Sequence, residues 1–151
     1  MQSVDNKTAV REQFQVHLNA TVEEDNWIDA TFVLDLTSSF VTHSSLTKEG
    51  EHPDLVETLK KGGSAADIAR VISGKTEKGL GAFGQKCGRG TFDSMIFRFS
   101  KGILNMYIHT PKTISFAIGF VNASSDGLGG MLPYCEEYAV EIREFLDKLY
   151  G

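Results

Sequence analysis

The chain has 151 residues and 16.6 kDa, 41% apolar and 23% charged, the balance of an ordinary globular domain and not of a collagen-like, disordered or disulfide-scaffold chain. A fold of this size buries roughly 70% of the surface its unfolded chain exposes, enough for one core without a metal or disulfide to hold it. Net charge is −5, no stretch approaches the ~20 apolar residues of a membrane span, and MQSVDNKTAVREQFQ at the start carries no apolar run of a secretory signal, so the expectation is a single soluble, cytoplasmic domain over 1-151.

Val10, Phe14, Leu18 and Val22 recur every four residues among polar ones, which predicts an amphipathic helix over about 6-22 with one buried stripe. From Ile28 to Leu36 the side chains alternate, with Ile28, Ala30, Phe32, Leu34 and Leu36 on one face and Asp29, Thr31, Val33 and Asp35 on the other. Thr37-Ser38-Ser39 then supplies turn residues before FVTHS at 40-44, so the segment reads as a β-hairpin. Residues 46-63 are polar, contain Pro53 and Gly62-Gly63, and read as an insertion or long loop.

Ser64 followed by Asp67 is a capping-box signal. Small and apolar residues then fall on one helical face from Ala65 through Ile68, Ala69, Ile72, Thr76, Gly79, Leu80 and Phe83 to Cys87, predicting a second helix over 64-86. Gly74, Gly79, Gly81 and Gly84 oppose it at about 1 kcal/mol each relative to alanine, so an earlier end near Gly74 or Gly79 stays open. If the helix continues, Gly74 and Gly81 lie seven apart opposite the core stripe, where another backbone could approach.

Beyond Phe92 the period becomes two. SMIFRFS (94-100), ILNMYIH (103-109) and TISFAIGFVN (113-122) are separated by turns too short for anything but an antiparallel meander. The last strand is apolar on both faces from Ile114 to Val121 apart from Ser115, so the sheet has to be covered on both sides. A final helical pattern runs from Leu128 to Leu149, with Pro133 either in the first turn of a helix starting near Gly130 or inside one starting near Gly127. The order α-β-β-α-β-β-β-α predicts an α/β three-layer sandwich: a five-stranded antiparallel sheet, the middle helix on one face and the terminal pair on the other.

Charge is uneven: between Lys60 and Lys101 nine Lys and Arg face three acids. The overall acidity and the absence of a recognition motif speak against nucleic acid, leaving a solvated face or a docking surface for an acidic protein. Catalytic patterns lack their partners. Gly79-Leu-Gly81-Ala-Phe-Gly84 matches a dinucleotide fingerprint, but a helix precedes it, a strand follows, and Leu104 stands where the ribose-binding acid belongs. Ser45-Leu-Thr-Lys48 matches SxxK without its companion motifs. His17, His43, His52 and His109 occupy four different segments with no metal-ligand spacing, although His43 and His109, each on a strand, could meet in space. Cys87 and Cys135 read as buried reduced thiols, and the sequons at Asn19 and Asn122 as coincidences. No cofactor or catalytic residue is nominated.

The run SMIFRFSKGILNMYIH (94-109), followed by SFAIGFVNASSDGLGGM (115-131), the helix EEYAVEIREFL (136-146) and the hairpin FVLDLTSSFVTHSS (32-45), resembles the roadblock family, the dynein light chain roadblock group with its bacterial and archaeal relatives. The likeness covers about residues 8-149, with a longer connection at 46-63 and Ser38-Ser39 where an Asp-Gly turn is common. It implies a roadblock/profilin-like fold and a non-enzymatic homodimer, whose third strands pair across a two-fold axis while second helices pack side by side. Such a platform binds small Ras-like GTPases or motor and signalling complexes. Carried onto this sequence, the dimer contacts would be Met95, Ile96, Phe97, Arg98, Phe99, Gly74 and Gly81; Arg70, Lys75 and Lys78 would meet the partner, with Arg70 and Arg89 as the arginines to mutate. The alternative is a small-molecule sensor of profilin-like topology with a pocket lined by Phe83, Phe97, Tyr107 and Phe116.

Overall fold

The computed structural model describes residues 2–24, 26–45, 64–77 and 80–151. Helix α1 (Gln2–Glu23) leads into the hairpin β1 (Ala30–Asp35) and β2 (Phe40–Ser44). Two helices follow, α2 (Ser64–Glu77) and α3 (Leu80–Lys86), then β3 (Ser94–Phe99), β4 (Gly102–His109), β5 (Phe116–Asn122) and α4 (Leu128–Tyr150). The strands form one antiparallel sheet in the order β2-β1-β5-β4-β3. This is the three-layer α/β sandwich that the alternation predicts, and the insertion read at 46-63 lies outside the described residues.

Period-two alternation splits the core in two. On one face Val33, Ile103, Tyr107, Phe116, Ile118 and Phe120 meet Phe14, Leu18 and Val22 of α1 and the buried stripe of α4. On the other, Phe32, Leu34, Leu104, Met106 and Ala117 pack with Ala65, Ala69 and Ile72 of α2. Full burial of a large apolar side chain contributes about 1.5–3 kcal/mol, so neither layer is dispensable. Ile28 belongs to the first cluster although Phe32 and Leu34 belong to the second, because the strand starts only at Ala30 and the alternation does not extend back to Ile28.

Gly119 shows how tightly the sheet is filled. It stands opposite Phe32 across β1 and β5, and a Cβ there would lie 2.3 Å from the Phe32 ring. Buried hydroxyls are paired as the dry interior demands: Thr21 Oγ1 lies 2.7 Å from Thr31 Oγ1 and also donates to the Leu18 carbonyl, while the Thr31 amide donates to Ser45 Oγ at 3.1 Å. At the hairpin, Asp35 Oδ1 accepts from the amides of Thr37 and Ser38, and Ser39 takes φ 65° to close the turn.

Three expectations need correction. The segment 64-86 is two helices, since α2 ends at Glu77 and α3 begins at Leu80. The stripe therefore holds through Ile72 and is lost beyond the break: Phe83 is 65% exposed and Cys87 is an exposed thiol instead of a buried one. The final strand begins at Phe116, not 113; of the two starts left open for the last helix, the one near Gly127 holds, with α4 beginning at Leu128 and Pro133 inside it.

Candidate functional site

Strand β3 pairs with β4 along one side, from Ser94↔Tyr107 to Phe99↔Gly102, and among the described residues no strand pairs with its other side. Alternation sends Met95 and Phe97 toward the α2 layer, where both are partly buried. Ser94, Ile96 and Arg98 point to the opposite face, and Arg98 Nη2 donates to the Ser125 carbonyl at 3.0 Å. Ile96 is 47% exposed and Phe99 58%. An open edge of backbone donors and acceptors with bare apolar side chains is a surface that proteins normally cover.

Of the residues expected to meet a partner, Arg70 stands on α2 with its side chain 76% exposed, 3.3 Å from Asp67 one turn earlier. Such an exposed pair contributes little, about 0–1 kcal/mol, and costs little to break. Lys75 lies within α2, and neither its side chain nor any part of Lys78 is among the described residues. Gly74 likewise lies on the α2 backbone. Gly81 departs from its expected outer position: it is buried and lines a cleft of about 520 Å³ between α3 and the sheet, opposite Leu36, Ile108 and Ser115. The helix break re-phases α3, and Gly81 turns inward.

That cleft is not the aromatic pocket of the sensor reading. Tyr107 and Phe116 lie under α1 and α4, Phe97 lies on the α2 face and Phe83 faces solvent, so the four do not converge. Its walls are largely neutral, with Asp93 as the charged member, and the Asp93 carboxylate is 3.7 Å from Arg143.

The other candidates separate too. His43 Nε2 lies 2.9 Å from the Tyr150 hydroxyl and His109 Nε2 2.8 Å from Asp147, on strands with β1 and β5 between them, and among the described residues no group of three potential ligands forms. Burial, with the nearby Arg11 charge adding to it, depresses the His43 pKa to about 4, which keeps the ring neutral. Ser45 Oγ is buried and accepts the Thr31 amide, a structural post and not an exposed nucleophile. Gly84 lies in the last turn of α3: its carbonyl accepts the Arg89 amide, and a Cβ would lie 2.6 Å from the Gly90 carbonyl oxygen. Tyr107 bonds to Asn105 and to Glu136, and burial pushes its phenol upward. The Asn122 amide is buried, donating to the Trp27 carbonyl.

No family model matches the chain, and no curated protein sequence matches it significantly. Solved structures do. Myxococcus xanthus MglB superposes with a TM-score of 0.53 at 14% identity, covering 91% of this chain and 94% of that one. An MglB structure described as having a tetrameric arrangement gives 0.61 at 15% identity, covering 93% and 90%. A Roadblock/LC7 domain from Streptomyces avermitillis gives 0.51 at 16% identity, covering 85% and 97%. The chain has the roadblock fold.

Within this roadblock sandwich the open edge is the third strand, and α2 lies on the face toward which Met95 and Phe97 point. Of the strand residues expected at the dimer contact, Met95 and Phe97 are partly buried, while Ile96 and Phe99 carry the exposed apolar surface. Both appear in the strand pattern. What identifies them is the edge position of β3, which alternation alone does not give. Among the described residues no helix is long and apolar enough to cross a membrane.

Proposed function

We propose that this chain is a roadblock-family regulatory module that dimerises through β3 and presents α2 to a small Ras-like GTPase, acting as a scaffold and not as an enzyme. The observation carrying this reading is the open β3 edge with Ile96 and Phe99 exposed on it. Pairing β3 with its own copy across a two-fold axis satisfies the free backbone groups of both edges and buries these side chains together. Two such sheets become one ten-stranded sheet, and the two α2 helices come to the same side. Arg70 and Lys75 on α2, matched in number there by Asp67 and Glu77 and followed in the sequence by Lys78, would supply the cations that a negatively charged partner meets. The overall likeness to MglB and Roadblock/LC7 structures supports the fold on which the reading is built.

The test of the GTPase assignment is affinity capture by the immobilised chain from its native lysate loaded with a non-hydrolysable GTP analogue or with GDP. A GTPase retained in one nucleotide state and lost with Arg70→Glu is the expected result. Capture that ignores nucleotide and Arg70 would reject the assignment, leaving the dimer question to its own measurement.

A further inference from the structure

The outer surface of the α1/α4 layer carries a second feature that the proposed function does not use. The two helices run antiparallel: the Phe14 ring stacks on Phe145 with centroids 5.0 Å apart, and His17 reaches Tyr138 and Glu141 further along. Between them runs a groove of about 590 Å³, from Gln13 on α1 to Glu24 just past its end, and from Tyr134 to Phe145 on α4. Eleven residues of helix cover about 16 Å, three turns. Val16 and Tyr134 line it and remain 68% and 44% exposed, on α1 and α4 and not on the β3 edge that the proposed dimer uses. A shallower depression continues along α1 past Ala9 and Glu12.

Charge decides what fits. Glu24, Glu137 and Glu141 line the groove and Glu12 its continuation, while no Lys or Arg lines either. His17 lies within it, 3.1 Å from Glu141, and the Lys148 ammonium stands 5.6 Å above the Phe145 ring at the groove's end. The Tyr134 and Tyr138 rings stack at 6.5 Å and offer faces that attract guanidinium groups. A second copy seated face to face would set these carboxylates against one another.

We propose that the α1/α4 groove is a docking site for a basic amphipathic helix of another protein. Its apolar side chains, spaced i, i+3/i+4, i+7, would lie over Val16 and Tyr134, and Lys or Arg on either flank would meet Glu12, Glu24, Glu137 and Glu141. A helix suits the site because the walls are themselves helices, whose side-chain ridges leave a groove for a third, and whose backbones have no free strand edge to offer.

The probe is a fluorescein-labelled synthetic helix with leucine at those spacings and lysine elsewhere, beside a counterpart with glutamate for every lysine. Fluorescence anisotropy of the full chain should show micromolar binding of the basic peptide and none of the acidic one. Affinity should fall at least tenfold with Glu137→Lys/Glu141→Lys and with Val16→Asp, all exposed positions that leave the circular dichroism spectrum intact, and stay within twofold for the remote control Asp126→Lys. Equal loss with Asp126→Lys, or full binding by Val16→Asp, would reduce the effect to general attraction between opposite charges and overturn the proposal. A drop in sedimenting mass with Val16→Asp would overturn it in another way, by making this face a contact between copies.

Discussion

His43 ties three elements together from the edge strand β2. Its ring lies 4.8 Å from the Phe14 ring of α1, and its Nε2 lies 2.9 Å from the Tyr150 hydroxyl at the end of α4. Burial and the Arg11 charge hold its pKa at about 4, against 6.5 for an open imidazole. The unfolded chain therefore binds a proton at His43 that the folded chain refuses. Stability from this group is complete above pH 6.5 and declines as pH falls toward 4, the opposite of a histidine gaining a carboxylate partner. A shift of that size corresponds to about 2 kcal/mol lost between pH 7.5 and 5, and because the ring is half-buried and partly reached by solvent, about 1 kcal/mol is the working expectation. The assay is urea unfolding of the wild type and His43→Gln across that range. The difference between the two free energies cancels the carboxylates common to both, and it should narrow by about 1 kcal/mol on acidification. A difference constant with pH would refute the reasoning.

Two further outcomes follow from backbone geometry. Ser39 closes the β1–β2 turn at φ 65°, where a side chain costs about 1–2 kcal/mol that glycine avoids; set against glycine's greater unfolded-state freedom, Ser39→Gly should raise stability by about 0.5 kcal/mol in thermal or urea unfolding. Gly119→Ala places a methyl group against the Phe32 ring and should lower it by about 1–3 kcal/mol, the range for overpacking a filled core, with unfolding midpoints as the measure.

The parts legible in the sequence are those where one periodicity runs uninterrupted. Phe14, Leu18 and Val22 recur along a single helix and are all fully buried, and the apolar run of β5 is covered on both faces. Where an element breaks, its phase is reset, and the extrapolated pattern fails: Phe83 and Cys87 fall on the predicted stripe yet face solvent, while Gly81 turns inward. Partner strands also decide burial in ways that alternation cannot. Ile96 and Ile118 look alike in sequence, but Ile118 sits on a central strand beneath two helices and Ile96 on the last strand of the sheet. The acidic α1/α4 groove had no distinct signal, because Val16 and Tyr134 become conspicuous only when two helices distant in sequence are laid side by side.

The β3 edge is tested most directly by sedimentation equilibrium at micromolar concentration. The chain of 16.6 kDa should sediment at twice its monomer mass. Ile96→Asp/Phe99→Asp, substitutions at exposed positions of β3 that leave the half-buried Phe97 in place, should return it to a folded monomer. A wild type that sediments as a monomer, or a double variant that keeps the dimer mass, would contradict the account.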